Sequence, residues 1–332
     1  MALKISRRRA ITVLAAAAGL PLVFKAGHAN ARLVRWEGTT LGAPSSIQLY
    51  TQDEAKAHAA IEAGLAELAR MEQLFNVNRA DSAISTLNRE GRLDNAAPEF
   101  MELLTRAKGI AQATGGLYDP SVQPLWMTYF NHFTAAQVDP AGPSRKAIED
   151  AIALVDYRNI EIDPASRSVA FTKKGMAVTL NSGGQGYITD RVGDILRAHG
   201  FGNMLVDLGE QRAYSTKPDG SAWRLGLANP ADNTKTVAEL DVVDKAVATS
   251  GGYGTLFDEA GNFTHIVNAR TGATAPRLLG VSVVAKSATI ADGIATSMLL
   301  VPEEGRQALL RAAGAEKAVF VTPDGIVATV EA

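Results

Sequence analysis

Residues 288–300, Ala288-Thr-Ile-Ala-Asp292-Gly-Ile-Ala-Thr296-Ser-Met-Leu-Leu300, form an apolar, helix-compatible run broken by one carboxylate and, four residues later, by a hydroxyl. Residues four apart share a helix face, so Asp292 and Thr296 offer two hard oxygens to one point in space. A carboxylate in so apolar a run needs a partner, because burying it unpaired costs free energy or forces it to take up a proton. Two kinds of partner meet the need. One is a backbone amide, with Asp292 acting as a helix cap. The other is a cation, and oxygen-only ligands with no histidine beside them and no cysteine in the chain favour magnesium or calcium over zinc.

The first thirty residues have a different character. Lys4 and the run Ser6-Arg-Arg-Arg-Ala-Ile11 precede an apolar stretch from Ala10 to Phe24, followed by Ala26-Gly-His-Ala29. That order of basic, apolar and small-residue segments describes an export signal over residues 1–29, with cleavage expected after Ala29. The apolar stretch is short for a bilayer span. Consecutive arginines before an alanine-rich segment point to the twin-arginine route, with the twin-arginine translocase as a transient partner. No cysteine follows to carry a lipid anchor, so the expectation is a soluble periplasmic protein. Removing residues 1–29 leaves 303 of the 332 residues and takes away five basic residues and no acid, which moves the net charge from −2 to −7. With that balance, and without a basic patch interleaved with aromatics, nucleic acid is excluded as a partner. A cysteine-free chain in an oxidising compartment has no disulfide staple and no thiol chemistry.

Periodicity suggests an α+β fold of mixed, mainly antiparallel sheets with packed helices, forming two intimately packed subdomains within residues 30–332. After a strand at Ile47–Tyr50, Thr51-x-x-Glu54 reads as a capping box opening a helix with Ile61, Leu65, Leu68, Met71 and Phe75 at helical spacing. A second helix spans Pro98 to Thr114, and residues 127–150 read as a loop or small insertion. Strands are expected at Ala177–Leu180, Met204–Leu208, Gly280–Ala285 and Ala318–Thr322. Helices are expected at Tyr187–His199, Ala288–Leu300 and Pro302–Ala313.

Three further segments carry candidate chemistry. Asn181-Ser-Gly-Gly-Gln-Gly186 is a glycine-rich strand-to-helix loop, able either to present amides to a phosphate or to serve as a tight packing turn. Thr264-His265-Ile-Val-Asn-Ala-Arg270-Thr-Gly272 places a histidine on a strand before a turn; His265 can take a proton near neutral pH or can be a hydrogen-bonded core residue. Gly115-Gly-Leu-Tyr118-Asp119-Pro-Ser-Val-Gln-Pro-Leu-Trp126 is a rigid turn that can hold Tyr118 and Asp119 against a planar ligand or act as a structural corner.

In this order, seven segments resemble the ApbE family, the FAD:protein FMN transferases. They are Asp81-Ser-x-Ile-Ser-x-Leu-Asn88, Gly115-Gly-x-Tyr-Asp-Pro-Ser-Val-x-Pro-Leu125, Gly186-Tyr-x-x-Asp190, Leu205-Val-Asp-Leu-Gly209, Ala246-Val-Ala-Thr-Ser-Gly251, His265-Ile-x-x-x-Arg-Thr-Gly272 and Ala291-Asp-x-x-x-Thr296. The resemblance implies that FAD binds with magnesium at its pyrophosphate, that FMN passes to a threonine or serine hydroxyl of a partner flavoprotein, and that AMP leaves. It implies Asp292, Thr296 and the Ser182 carbonyl as metal ligands. Leu41, Asn78, Tyr118, Asp119, Gln185 and Ile266 would line the FAD site, and His265 with Asp292 would be catalytic. The acceptor would carry a Ser/Thr-Gly-Ala-Thr motif, and the exported subgroup is similar to transferases serving membrane-bound respiratory regulators. This chain departs from the family pattern at Gln185, where many members have lysine, at Asn268-Ala269 in place of Asp-Pro, and at Glu210 in place of a second glycine. Arg270-Thr-Gly-Ala-Thr274 itself resembles the acceptor motif, and is read either as a turn or as a self-modified site.

Two other activities share these residues: an FAD pyrophosphatase giving FMN and AMP, and a periplasmic FAD carrier without turnover. Cell fractionation is expected to find a chain shortened by about 29 residues in the periplasm. Intact precursor held in spheroplast membranes, with no shortened form, would overturn the export reading.

Overall fold

The computed structural model describes residues 31–275, 279–322 and 324–332; the expected export signal and its cleavage point lie outside them. The chain opens with a hairpin, β1 (Arg32–Thr40) and β2 (Ala43–Thr51). Its two-residue turn holds Leu41 at φ +52° and Gly42 at φ +81°, the left-handed pair that a tight hairpin requires and that leucine adopts only at a cost. Helix α1 (Glu54–Phe75) follows. Ile61, Leu68, Met71 and Phe75 are buried along it as the spacing predicts. Its cap is not the expected Thr51. Asp53 accepts the Lys56 N–H at 2.9 Å, and Thr51 Oγ1 accepts the Asp53 N–H at 3.0 Å, so the box is shifted by two residues.

Next come α2 (Ala83–Glu90), β3 (Arg92–Leu93) and α3 (Pro98–Ala113). Residues 127–150 are not mainly loop. They contain most of two helices, α4 (Gln123–Phe133) and α5 (Arg145–Ile152). Proline in the first turn starts α4, and Leu125, Tyr129 and Phe133 recur four residues apart on the face that packs. The strands β4 (Ile160–Asp163) and β5 (Ser168–Phe171) pair with β3 in a small antiparallel sheet. The expected strand at Ala177–Leu180 has no ladder. Asn88 supplies the pairing instead: its Oδ1 accepts the Val178 N–H at 2.7 Å and its Nδ2 donates to the Val178 carbonyl at 2.8 Å.

After α6 (Asn181–Ala198), the chain builds β6 (Met204–Asp207), β7 (Gln211–Tyr214), a long hairpin of β8 (Trp223–Asn229) and β9 (Asp232–Val242), and β10 (Ala246–Gly251). It ends with β11 (Gly280–Ala285), α7 (Ala288–Met298), α8 (Glu303–Ala313), β12 (Ala315–Val321) and β13 (Val327–Glu331). Eight strands form one antiparallel sheet in the order β1-β2-β6-β7-β10-β11-β12-β13. The α+β reading holds.

Alternation along these strands sorts their side chains to two faces. Met204, Val206, Ala246, Ala248, Val283 and Ala285 join the cores under the helices. Leu205, Ala213, Val247 and Val284 meet Trp223, Leu225 and Val242 of the β8–β9 hairpin on the opposite face. Between β11 and β12 lie α7 and α8, and α7 is buried on nearly every side. No helix among the described residues is long and apolar enough to cross a membrane.

Helices α6 and α7 run antiparallel in close contact, with Gly186 against Asp292 and Asp190 against Ala288. A Cβ on Gly186 would stand 2.2 Å from the Ala288 carbonyl oxygen and 2.8 Å from Asp292 Cβ. The obstacle is backbone, which cannot swing aside. Gly186→Ala is therefore expected to lower stability by about 3 kcal/mol or more, read by urea unfolding. A variant as stable as wild type would show that the helices do not meet there.

Candidate functional site

The site grows from the N-terminus of α6. Ser182 (φ −87°, ψ 119°) and Gly183 (φ +94°, ψ −20°) break the helix after its first residue, so the continuous helix starts beyond them. Its amides are left to find acceptors outside the helix. Asp292, from the middle of α7, supplies one: its Oδ2 accepts the Gly186 N–H at 2.9 Å, and its carboxylate also draws on the Gly183 and Gln185 amides. The capping partner weighed for this carboxylate is present, although the helix it caps is not its own.

The bond has a second effect. In a regular helix the Gly186 N–H would donate to the carbonyl of Ser182. Here that donor points to Asp292, while ψ of 119° turns the Ser182 carbonyl out of the helical direction. The Ser182 hydroxyl donates to the Asp292 backbone carbonyl at 3.4 Å and is bonded to Tyr118. One turn along α7, Thr296 Oγ1 lies 3.2 Å from Ser250 Oγ of β10.

Burial drives the electrostatics. Asp292 is 5% exposed, and burial together with Asp190 pushes its carboxyl up to about 6 against the pull of the three amides. Glu210, in the turn between β6 and β7, is raised well above its ordinary value by burial and by Asp292. Asp207 is raised by burial. Among the described residues no lysine or arginine is ion-paired with any of the three. Buried carboxyls that desolvation pushes toward the neutral form, with no cation to offset it, would gain from a hard divalent ion that displaces the proton. No three or more His, Cys, Asp or Glu among the described residues come together as a metal cage. Magnesium rarely needs one, since it keeps waters and binds through one or two carboxylates plus substrate phosphates.

The remaining predicted residues fall in several places. Tyr118 is buried, and burial followed by Asp292 raises its hydroxyl. Asp119 sits beside it as a structural corner: Oδ1 accepts from Ser121 N–H and Oγ–H at 2.8 and 2.7 Å, and Oδ2 accepts the Tyr157 N–H at 2.8 Å. Gln185 lays its amide against Gly209, where a Cβ would stand 2.8 Å from Gln185 Nε2. Leu41 occupies the left-handed position of the β1–β2 turn, partly buried against the core. Asn78 is exposed in the loop after α1, its N–H donating to Asn76 Oδ1 at 2.9 Å. The Ile266 side chain belongs to the core under α7, and its carbonyl accepts the Ala275 N–H at 2.8 Å.

His265 lies not on a strand but between two isolated bridges, Leu256 with Thr264 and Val267 with Thr274. Its Nδ1 is 3.0 Å from the Thr255 carbonyl, and burial holds the imidazole below its usual range. The Thr255 N–H also lies 3.3 Å from Nδ1; in the tautomer that donates from Nδ1 to the Thr255 carbonyl, the Nε2 lone pair is free. Asn268 preserves the following turn, its Oδ1 accepting the Arg270 and Thr271 N–H groups at 3.0 and 3.1 Å. Thr274, after that turn, donates its hydroxyl back to the Asn262 carbonyl at 3.5 Å.

Sequence reasoning singled out neither Asp190 nor Ser250, though both lie in segments it flagged. Asp190 accepts the Ala288 and Thr289 N–H groups at 3.0 and 2.9 Å and the Thr289 hydroxyl at 2.7 Å, capping α7 from α6. Its three-residue spacing from Tyr187 on one helix was the available signal.

Linkage sets the sign of the pH response. The native state holds the Asp292 proton with a value of about 6 against an ordinary 3.8. Its contribution is therefore fully present below the ordinary value and is lost as pH rises through the native one. Without metal, wild-type unfolding free energy is expected to fall by about 3 kcal/mol relative to Asp292→Asn between about pH 4 and about pH 7. Urea titrations across that range check it, and a constant difference would refute it.

Comparison with known proteins adds to this geometry. The ApbE family model matches residues 41–320. An FAD:protein FMN transferase of Treponema pallidum is 28% identical over 324 residues, covering 90% of this chain and 87% of that protein. The apo flavinyl transferase ApbE of Pseudomonas stutzeri superposes with a TM-score of 0.72 at 25% identity, covering 91% and 94%. The ApbE protein of Thermotoga maritima gives 0.77 at 24%, covering 90% and 96%.

Proposed function

The chain belongs to the ApbE family, and from that premise we propose that it is a flavin transferase, moving FMN from FAD to a serine or threonine hydroxyl of a partner flavoprotein with magnesium and releasing AMP. Relatives described as FAD:protein FMN transferases support the flavin-transfer part. The observation that carries the metal-assisted part is the α6 start: one carboxylate caps the helix, the Ser182 carbonyl is turned out, and Thr296 and Ser250 stand one turn away.

Asp292, the Ser182 carbonyl and the Thr296 hydroxyl would hold magnesium, which would supply charge neutralisation at the FAD pyrophosphate. The chain's own contribution is mainly positioning. The broken start of α6 turns the Ser182 carbonyl outward while Asp292 takes the Gly183, Gln185 and Gly186 amides, and Tyr118 lies beside Ser182. His265 accepts the acceptor hydroxyl's proton at Nε2 as that oxygen bonds to the FMN phosphorus. The bond from that phosphorus to the bridging oxygen breaks, and AMP departs with the oxygen. With Gln185 neutral, no lysine adds charge at this point of the loop.

The acceptor is proposed to carry a Ser/Thr-Gly-Ala-Thr motif and to be a periplasm-facing flavoprotein, such as a membrane-bound respiratory regulator. We infer twin-arginine export to the periplasm from the order of segments in residues 1–29.

The test incubates the protein with FAD, magnesium and an acceptor domain, then reads in-gel flavin fluorescence and free AMP. A fluorescent acceptor band is expected. Asp292→Ala should abolish magnesium-dependent turnover, and His265→Ala should slow transfer by about a hundredfold or more. AMP without a fluorescent acceptor would replace the reading with hydrolysis, and intact FAD would replace it with a carrier.

A further inference from the structure

Glu210 has no role in the steps above, yet its side chain is only 7% exposed and no ion pair among the described residues reaches it. Its backbone closes the β6–β7 turn, the carbonyl accepting the Leu208 N–H at 3.2 Å and the Thr189 hydroxyl of α6 at 3.4 Å. The carboxylate reaches the other way. Pairing between β7 and β10 stops with Gln211 opposite Val247. Two residues farther along β10, the Thr249 N–H faces the β7 side without a strand partner there, and Glu210 Oε2 accepts it at 3.2 Å. A backbone donor past the end of a ladder is expensive to leave unmade, so a fixed carboxylate there pins this part of β10.

What is pinned lies next to the site. On the β11 side, Thr249 Oγ1 is 2.7 Å from Ser282 Oγ across the strand pair. The next residue, Ser250, points to the opposite face and meets Thr296 Oγ1 at 3.2 Å. In the arrangement where Thr296 donates its proton to Ser250, the Thr296 oxygen keeps its lone pairs for a cation. If β10 slips, that proton has no fixed acceptor.

We propose that Glu210 is a positioning residue of the metal site: by holding the Thr249 N–H it sets the Ser250 hydroxyl against Thr296 and so orients a metal ligand that it does not touch. Outer-shell groups of this kind are commonly worth one to two orders of magnitude in metal affinity. The inference rests on the metal-assisted reading of the site, and the route predicted is a hydrogen bond, not the negative charge of Glu210.

Titrating Mn²⁺ into the protein with saturating FAD, with the free ion followed by electron paramagnetic resonance, reads the metal site without turnover. Glu210→Ala and Ser250→Ala should each weaken Mn²⁺ binding by about tenfold, while Glu210→Gln, whose amide oxygen still accepts the Thr249 N–H, should stay within about threefold of wild type. Because both residues act through one contact, the Glu210→Ala/Ser250→Ala double variant should bind no more weakly than the worse single one. Wild-type affinity in Glu210→Ala would overturn the proposal. So would a Glu210→Gln protein as weak as Glu210→Ala, which would assign the effect to charge, or an additive loss of about a hundredfold in the double variant. Where Glu210→Ala fails to fold, Ser250→Ala and Glu210→Gln carry the test alone, and wild-type binding by Ser250→Ala overturns it. A wild-type protein that shows no saturable Mn²⁺ binding with FAD would instead remove the metal-assisted reading on which this inference stands.

Discussion

Two antiparallel helices that cap each other hold this site together. Asp190 of α6 accepts the first amides of α7, and Asp292 of α7 accepts the first amides of α6. Each carboxylate lies mid-helix on its own element and at the positive end of its neighbour, where unpaired N–H groups and the helix dipole favour negative charge. The arrangement works only at short range, which Gly186 provides by omitting a Cβ where the α7 backbone passes. Gly293 does the same for α3, since a Cβ there would stand 2.8 Å from Ile110 Cδ1. Moving either helix by one residue would break both caps together and strand the buried Asp292 and the half-buried Asp190.

The chemistry of the site follows from that packing. A cap supplied from outside takes the Gly186 amide away from Ser182, so the Asp292 carboxylate is bonded to the same turn whose Ser182 carbonyl is freed from the helix. The surroundings disfavour charge on the carboxyls. Asp207, Glu210 and Asp292 are all raised by burial, and the nearby cation Arg212 is directed to Asp190, with Nε 3.8 Å from Oδ1. An apolar replacement for Asp292 would remove an electrostatic cost and also the acceptor on which the start of α6 depends.

Much of this was legible in the sequence, for identifiable reasons. The 3.6-residue period exposed α1, α3 and the second halves of the helical regions, and an apolar run with a lone carboxylate marked Asp292 as needing a partner. Which partner could not be read, because the amides that satisfy it lie more than a hundred residues away in the chain. The same limit hid Asn88, whose side chain replaces a strand for Val178. Thr51 was mistaken for a cap because Asp53, two residues on, offers the same chemistry in better register. Composition misled at α4 and α5: Asp139-Pro-Ala-Gly-Pro143 does form a loop, but the aromatics before it repeat every four residues and make a helix.

That misread region shows how the acceptor side of the site is supported. His265 sits on a segment held only by isolated bridges, which alone would leave its position loose. Helix α4 supplies the missing rigidity. Tyr129 stacks on Phe257 at 5.5 Å between ring centres and donates its hydroxyl to the Gly272 carbonyl at 2.6 Å, while Trp126 meets Phe257 edge-on at 5.3 Å and Phe133 lies 5.1 Å from Phe263. Aromatic contacts of this kind add to simple area burial and fix orientation. They clamp the segment on both sides of His265, at Phe257 before it and Gly272 after it. The helix pair α6–α7 thus fixes Asp292 and the start of α6, and the aromatic lobe fixes the segment that carries His265. Transfer between a nucleotide and a hydroxyl needs both fixed with respect to each other, and the Ser250–Gly254 stretch joins them, with Ser250 against Thr296 and a Cβ on Gly254 placed 3.2 Å from His265 Cε1.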